Sequence, residues 1–200
     1  AVLAGGLADR FGTVKVIALG TILYALGLWV TADVHTIWQL QAGAGLLVGA
    51  GVAGTAFGLV LPAMARAVAP EQRQWVLGIG TAAGSMGQFL IAPLAQWLIE
   101  QLGWGGALNA MALMSLSMAL LAMPLAPYSA SRMPAAVDGN EQSFAETLRL
   151  ARGHASYWLL TIGFFVCGFH VAFITVHMPA FLTDAGFAPE VAAWSIALIG

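Results

Sequence analysis

Two histidines lie in one of the longest uncharged stretches of the chain, where an imidazole could carry a proton or bind a polar solute. His170 and His177 are seven residues apart, which places them on one face of a helix and about 10.5 Å apart along its axis. Both imidazoles could not then bind one metal ion at about 2.1 Å each. The histidines either line a substrate or proton route or form hydrogen bonds with neighbouring helices, and His177 could alternatively lie at a membrane interface.

An enzyme is the competing interpretation of the same pair. An intramembrane enzyme or redox protein that used His170 and His177 would need further histidines or carboxylates close by in the same or neighbouring apolar stretches. The predicted spans contain no such closely spaced residues. We therefore expect no metal and no enzymatic activity.

A second polar track is formed by Thr81, Ser85 and Gln88, which share one stripe of a helix with Gly84. Gln88 could donate a hydrogen bond to an anion or another polar substrate, or it could bond to a neighbouring helix. The segment around Ser85 is not a nucleophile elbow, because Ala83 stands where the leading glycine is required. A serine hydrolase is thus not expected.

One short motif, Gly49-Ala50-Gly51-Val52-Ala53-Gly54, matches the dinucleotide-binding fingerprint. That fingerprint works only as a turn from a strand into a helix, and here it lies inside a long uncharged run. We therefore expect no nucleotide and no other cofactor. The small residues instead favour close packing of helices, and the glycines expected to permit it are Gly45, Gly49, Gly54 and Gly58.

The composition is that of a membrane protein. Of the 200 residues, 60% are hydrophobic and 8% are charged, whereas about a quarter of the residues of a soluble domain are charged. The net charge of −2 provides no basic face for nucleic acid. Cys167 is the single cysteine, which excludes an intrachain disulfide. The expected surroundings are the lipid bilayer.

Charged residues divide the chain into long uncharged runs, most of which exceed the roughly 20 apolar residues that cross a bilayer as a helix. The runs do not alternate apolar with polar residues, so transmembrane β-strands are not expected. We predict an all-α, polytopic transmembrane helical bundle. Its helices are predicted near residues 13–32, 37–63, 74–100, 104–126 and 156–182, with a sixth from about 190.

The seven basic residues predict the orientation of these helices. Five helices threaded alternately through a bilayer place all of them on one side: Arg10, Lys15, Arg66, Arg73, Arg132, Arg149 and Arg152. The opposite connections contain Asp33, His35, Glu100, Asp184 and Glu190. By the positive-inside rule the basic side is cytoplasmic, and we expect a multi-pass protein of the cell (inner) membrane.

The one long connection is expected to divide the chain. It begins with a stretch rich in Pro, Ser and Ala that is typical of a flexible linker. The capping-box pattern Ser143-Phe144-Ala145-Glu146 then predicts a short amphipathic helix, with Arg149 and Arg152 at the lipid headgroups. The predicted parts are residues 1–126, part of an N-terminal bundle with four transmembrane helices; 127–155, a cytoplasmic linker; and 156–200, the start of a C-terminal bundle.

The first charged segment, Gly5-x-x-x-Asp9-Arg10-x-Gly12-x-x-Lys15, resembles the conserved loop between helices two and three of the major facilitator superfamily. Its glycines allow a tight turn, Asp9 can sit at a helix N-terminus, and the basic residues anchor the cytoplasmic side. In that family the loop locks and releases two halves of the protein. The resemblance implies gating roles for Asp9 and Arg10, with plain topology signals as the alternative.

A narrower resemblance is to the bacterial monocarboxylate and oxalate:formate porter branch of that family. It rests on Pro70-Glu71-Gln72-Arg73 to Gly78, Ala83-Gly84-Ser85-Met86-Gly87, Ala92-Pro93 and Leu102-Gly103-Trp104. It implies a secondary active transporter of a small solute, such as a carboxylate, moved by alternating access with a proton or in exchange for an anion.

This register aligns the chain with the third to the start of the eighth helix of such a transporter. The chain starts at Ala1 without Met and stops at Gly200 inside an apolar stretch. We therefore expect it to be a fragment whose partners are the remaining helices. The superfamily often has an arginine early in its fourth helix, where this chain has Gln39.

Overall fold

The computed structural model of the chain describes residues 2–129 and 149–199. Every regular element in these two ranges is helical, without a strand. The two ranges form two separate compact units. The prediction of an all-α fold is confirmed.

The first unit begins with helix α1 (Val2–Phe11) and helix α2 (Thr13–Ala32), joined at Gly12. Gly12 has φ 95°, a left-handed conformation that a residue without Cβ adopts at little steric cost. The 20 residues of α2 span about 30 Å, the thickness of a hydrocarbon core. The first predicted helix is therefore present, and most of the expected loop before it is helical.

The second predicted helix is present in several segments rather than one. It consists of α3 (Ile37–Leu40), a π-helical segment (Gln41–Val48), α4 (Gly49–Thr55) and α5 (Phe57–Arg66). Ala56 separates α4 from α5 with an extended backbone, at φ −63° and ψ 152°. The single continuous helix expected over residues 37–63 is thus replaced by an interrupted one.

A capping box starts this interrupted helix. Gln39 Oε1 accepts hydrogen bonds from the backbone N–H groups of His35 at 2.9 Å and Thr36 at 3.1 Å. The hydroxyl of Thr36 in turn accepts from the N–H of Gln39 at 3.2 Å. Gln39 therefore satisfies backbone donors that the first turn leaves unpaired.

The third predicted helix and most of the fourth lie within α6 (Arg73–Ala122), which follows a 3₁₀ turn at Pro70–Gln72. Its 50 residues would measure about 75 Å if straight, more than twice the thickness of a hydrocarbon core. Gly103 interrupts the helix with φ 70° and ψ 175°. A 3₁₀ turn (Met123–Leu125) and α7 (Ala126–Ser129) complete the described part of this unit.

Contacts show that the chain reverses direction at Gly103. Before Gly103, α6 packs antiparallel to α5, because Gly84 meets Phe57 whereas Gly80 meets Leu61. After Gly103, α6 packs antiparallel to α2. A Cβ on Gly105 would lie 2.8 Å from the carbonyl oxygen of Ala32, and further along α6 Ala112 joins a buried cluster with Ala25 and Leu28 of α2. Since α2 is also antiparallel to the second helix, α6 provides two spans of opposite direction.

Glycines bring α2 and the second helix into close contact, but they are mostly not the predicted ones. A Cβ on Gly51 would lie 2.6 Å from the backbone nitrogen of Tyr24, and one on Gly43 would lie 2.7 Å from the hydroxyl of Thr31. Of the four expected glycines, Gly54 alone makes such an approach; a Cβ would meet nothing within 4 Å at the other three, Gly45, Gly49 and Gly58. The π-helical segment, with its wider i→i+5 turn, shifts the face that a 3.6-residue period predicts.

The second unit contains helical residues 149–152, then α8 (Ala155–Asp184) and α9 (Pro189–Ile199), which pack against each other. Gly186, at φ 87°, lies in the turn between them. The fifth helix and the start of the sixth thus lie within two residues of their predicted positions. Most of the predicted amphipathic helix, from Ser143 to Leu148, lies outside the described residues.

Four helical stretches of the described chain are long and apolar enough to cross a membrane: Thr13–Ala32, Ile37–Arg66, Pro70–Leu125 and Ala155–Asp184. The third is 56 residues long and contains the reversal at Gly103. Because the third stretch reverses direction, it counts as two spans. The first unit therefore contains four spans, and the second unit contains one complete span.

Candidate functional site

The two candidate histidines lie on the exposed surface of α8 within the second unit. The Nδ1 atom of His170 is 3.0 Å from the carbonyl oxygen of Val166, one turn earlier in the same helix. That geometry requires the tautomer in which Nδ1 carries the proton, because the carbonyl oxygen can only accept. The other imidazole nitrogen, Nε2, is then the acceptor.

A row of aromatic rings leads along α8 to His177. Phe165, Phe169 and Phe173 are four residues apart, with ring centroids 6.4 Å and 6.2 Å from one to the next. The imidazole of His177 continues the row, tilted at 4.9 Å from the ring of Phe173. His170 lies beside this row, edge-on to Phe169 at 6.3 Å. The four-residue spacing of the phenylalanines was a signal for this row that the sequence analysis missed.

The polar track of α6 remains on one helical stripe. Thr81 donates its hydroxyl hydrogen to the carbonyl oxygen of Leu77 at 2.9 Å, so its one donor is used within its own helix. Ser85 is exposed and Gln88 is half-buried. Gly84, on the same stripe, lies directly against the ring of Phe57. The track therefore borders the contact between α5 and α6.

The charged motif occupies the junction of α1 and α2. Gly5, Asp9 and Arg10 lie in α1, and the guanidinium of Arg10 lies 5.4 Å from the ring centroid of Phe11. Gly12 forms the junction, and Lys15 is exposed in the first turn of α2. Asp9 is in the last turn of α1, so its backbone is not at the helix N-terminus where the motif suggested it.

A residue outside the motif contacts this junction. Arg66, the last residue of α5, donates a hydrogen bond from Nη2 to the hydroxyl oxygen of Thr13 at 3.2 Å. Thr13 is the first residue of α2 and is 3% exposed. Because the two residues are 53 positions apart, no local pattern in the sequence could have revealed this contact. It places Arg66 at the same end of the first unit as Lys15.

The opposite end of α2 is acidic. Asp33 follows the last residue of α2, and its carboxylate lies 3.1 Å from Nε2 of His35. Both side chains are largely exposed. Since α2 runs from Thr13 to Ala32, Lys15 and Asp33 lie at opposite ends of the first unit.

Within residues 2–129 and 149–199, no group of three or more His, Cys, Asp or Glu side chains is arranged to hold a metal ion. His170 and His177 therefore lack the further ligands that an intramembrane metalloenzyme would need in this part of the chain. Cys167, also on α8, is exposed and unpaired with another cysteine.

Comparisons with known proteins give a consistent result. The family model of the Major Facilitator Superfamily matches residues 1–200. Monocarboxylate transporter 13 of Bos taurus is 28% identical over 199 residues, which are 98% of this chain and 44% of that protein. Monocarboxylate transporter 11 of Mus musculus is 32% identical over 141 residues, 69% of this chain and 29% of that protein. The chain thus spans less than half the length of these relatives, and no solved structure gives a significant match.

Proposed function

The chain belongs to the major facilitator superfamily, and on that premise we propose that the full-length protein is a secondary active transporter of a small monocarboxylate or related organic anion. The four helical stretches of membrane-spanning length in the described residues are those that a transporter family requires. The observation that carries the proposal is the alternating direction of four spans in a unit that the family match covers completely.

The proposed mechanism is alternating access, in which two helical bundles rock about a site near the middle of the bilayer. Residues 1–126 would supply four helices of one bundle, and residues 156–200 would start the other. Residues 127–155 would join the bundles in the cytoplasm of a cell (inner) membrane protein. The distribution of Lys and Arg supports this orientation.

In this mechanism the charged motif gates the cytoplasmic side. Asp9 and Arg10, together with Gly5, Gly12 and Lys15, would hold the two bundles together in one state and release them in the other. The motif lies at a junction between two helices, and Gly12 allows the sharp change of direction there. A junction of this kind can move as a unit while α2 remains in the bundle.

The proposed substrate and proton route uses the polar residues of the spans. An ionisable side chain is unfavourable in lipid and usually marks a pathway, which favours this role for His170 and His177. A histidine can gain a proton as an anion arrives, because its charge changes near neutral pH. Gln88 and Ser85 would offer hydrogen bonds to the solute from the other bundle, and Thr81 would do so once its hydroxyl leaves the carbonyl oxygen of Leu77.

The substrate class is supported by the relatives, which are monocarboxylate transporters by name. The test is uptake of a radiolabelled C2 to C4 monocarboxylate by the full-length protein in proteoliposomes, with and without an inward proton gradient. We expect saturable uptake that excess unlabelled monocarboxylate inhibits and that the matching primary amide does not. If uptake of every C2 to C4 monocarboxylate equals that of protein-free vesicles, the result would contradict the proposed substrate class.

A further inference from the structure

One hydrogen bond joins the start of α2 to the end of α5. Its donor is Nη2 of Arg66 and its acceptor is the hydroxyl oxygen of Thr13, 3.2 Å away. Thr13 is 3% exposed, so solvent cannot readily replace the arginine as its partner. A buried polar group that loses its partner is unfavourable. Removal of this bond is therefore expected to destabilise the contact between α2 and α5.

The bond adds a directional contact where three helices also share apolar contacts. Ala4 and Ala8 of α1, Val16 of α2 and Leu59 of α5 form one buried apolar cluster. Apolar contacts of this kind are non-directional, so they hold three helices together without fixing their register. Gly12, the N-cap residue of α2, makes no side-chain cap. The hydrogen bond from Arg66 to Thr13 thus links α5 to the first turn of α2, where Gly12 has no side chain that could form a bond.

The two helix ends at the bond have opposite effects on the charge of Arg66. A cation at the C-terminus of α5 is favourable, whereas Arg66 and Lys15 both lie near the N-terminus of α2, where cations are unfavourable. Because these two effects oppose each other, the hydrogen bond to Thr13 rather than the helix dipoles makes the contact between Arg66 and α2 specific.

We propose that Arg66 is a positioning residue for the charged motif. Through Thr13, it keeps the α1–α2 junction in register with α5, so that a movement of the second helix reaches Asp9 and Arg10. This inference rests on the proposed gating function and adds a residue outside the motif to it. Arg66 does not contact the transported solute in this account.

The first test measures turnover in the full-length protein reconstituted in vesicles. Thr13→Val removes the acceptor at nearly constant shape, Thr13→Ser keeps it, and Arg66→Gln removes the charged donor. We expect Thr13→Val and Arg66→Gln each to lower kcat about three- to tenfold with KM unchanged, and Thr13→Ser to retain wild-type turnover. The double variant Thr13→Val/Arg66→Gln should be no slower than the slower single variant. Wild-type turnover of Thr13→Val, or losses that multiply in the double variant, would overturn the inference.

The second test does not depend on transport. Ala4 is 7% exposed in the apolar cluster, so a cysteine at this position reacts with a maleimide only when α1 moves away from α5. In the full-length protein with Ala4→Cys, Cys167→Ala and no other reactive cysteine, we expect Thr13→Val and Arg66→Gln to accelerate labelling several-fold, while Thr13→Ser does not. Equal labelling rates in Thr13→Val and Thr13→Ser would refute the positioning role. Absence of uptake by the wild-type protein would instead count against the proposed function, and the labelling rates would still decide this inference.

Discussion

Gly20 of α2 and Gly54 of α4 approach so closely that a Cβ added to either would lie 2.9 Å from the Cα atom of the other. Backbones at this distance gain van der Waals contacts that larger residues would prevent, which is how small residues drive helix association in lipid. Together with the approach of Gly51 to Tyr24, this contact holds the first two spans in an antiparallel pair.

Gly54→Ala is expected to destabilise the bundle, because its new methyl group must displace the backbone of Gly20. Overpacking of this kind costs about 1–3 kcal/mol. Gly49→Ala is the matched control, since a Cβ there meets nothing within 4 Å. Thermal unfolding of the full-length protein in detergent should show a lower midpoint for Gly54→Ala and little change for Gly49→Ala. Equal midpoints for the two variants would contradict the close approach.

Gly103→Ala is expected to weaken the reversal between the third and fourth spans. At φ 70° and ψ 175°, the residue has a conformation that is essentially restricted to glycine, and its strain in alanine is on the order of 1–3 kcal/mol. Gly87→Ala, in the helical part of α6 with nothing within 4 Å of its Cβ, is the control. The same assay should show a lower midpoint of thermal unfolding for Gly103→Ala and no change for Gly87→Ala. An unchanged midpoint for Gly103→Ala would contradict a sharp reversal.

Asp9→Asn is expected to slow transport with little effect on affinity for the solute. A gating residue acts on the conformational step, so kcat should fall by about tenfold, the change that about 1.4 kcal/mol of barrier produces, while KM stays the same. Asp33→Asn, at the opposite end of α2, is the control. Initial rates in reconstituted vesicles test this prediction, and normal turnover of Asp9→Asn would count against the gating role.

His170→Ala is expected to flatten the pH dependence of uptake. If the imidazole takes up a proton with the solute, its removal leaves transport insensitive to the protonation of that site. His154→Ala is the comparison, because His154 precedes the first residue of α8. Uptake between pH 5 and 8 measures the effect; a profile identical to that of the wild-type protein would remove His170 from the proton route.

The spans could be predicted from the sequence because they depend on local composition. Apolar runs long enough to cross a membrane predicted the helix that starts at Thr13 and the helix that ends at Asp184. Both helices lie within two residues of the predicted bounds. The reversal at Gly103 was also accessible, since the predicted helices end and begin on either side of it. The interruption at Ala56 was not, because alanine carries no signal for an extended backbone.

The candidate site was less predictable because it depends on contacts between distant residues. The charged motif was visible in one short segment, but its link to Arg66 joins positions 53 residues apart. The packing glycines were misassigned because residue size alone does not show which side of a helix meets its neighbour, and the π-helical segment and the interruption at Ala56 both change that side. Gln39 could be compared with the arginine of the family pattern, and its capping role was also accessible, because Thr36 and Gln39 have the capping-box spacing.

The most direct test of the account is the sidedness of the third span. Arg73 and Glu100 lie near its two ends and are both exposed. Single-cysteine variants Arg73→Cys and Glu100→Cys of the full-length protein, without other reactive cysteines, can be treated with a membrane-impermeant maleimide in intact cells. We predict that Glu100→Cys is labelled from outside and that Arg73→Cys is labelled only after the membrane is permeabilised. Labelling of both from the same side of an intact membrane would contradict the account.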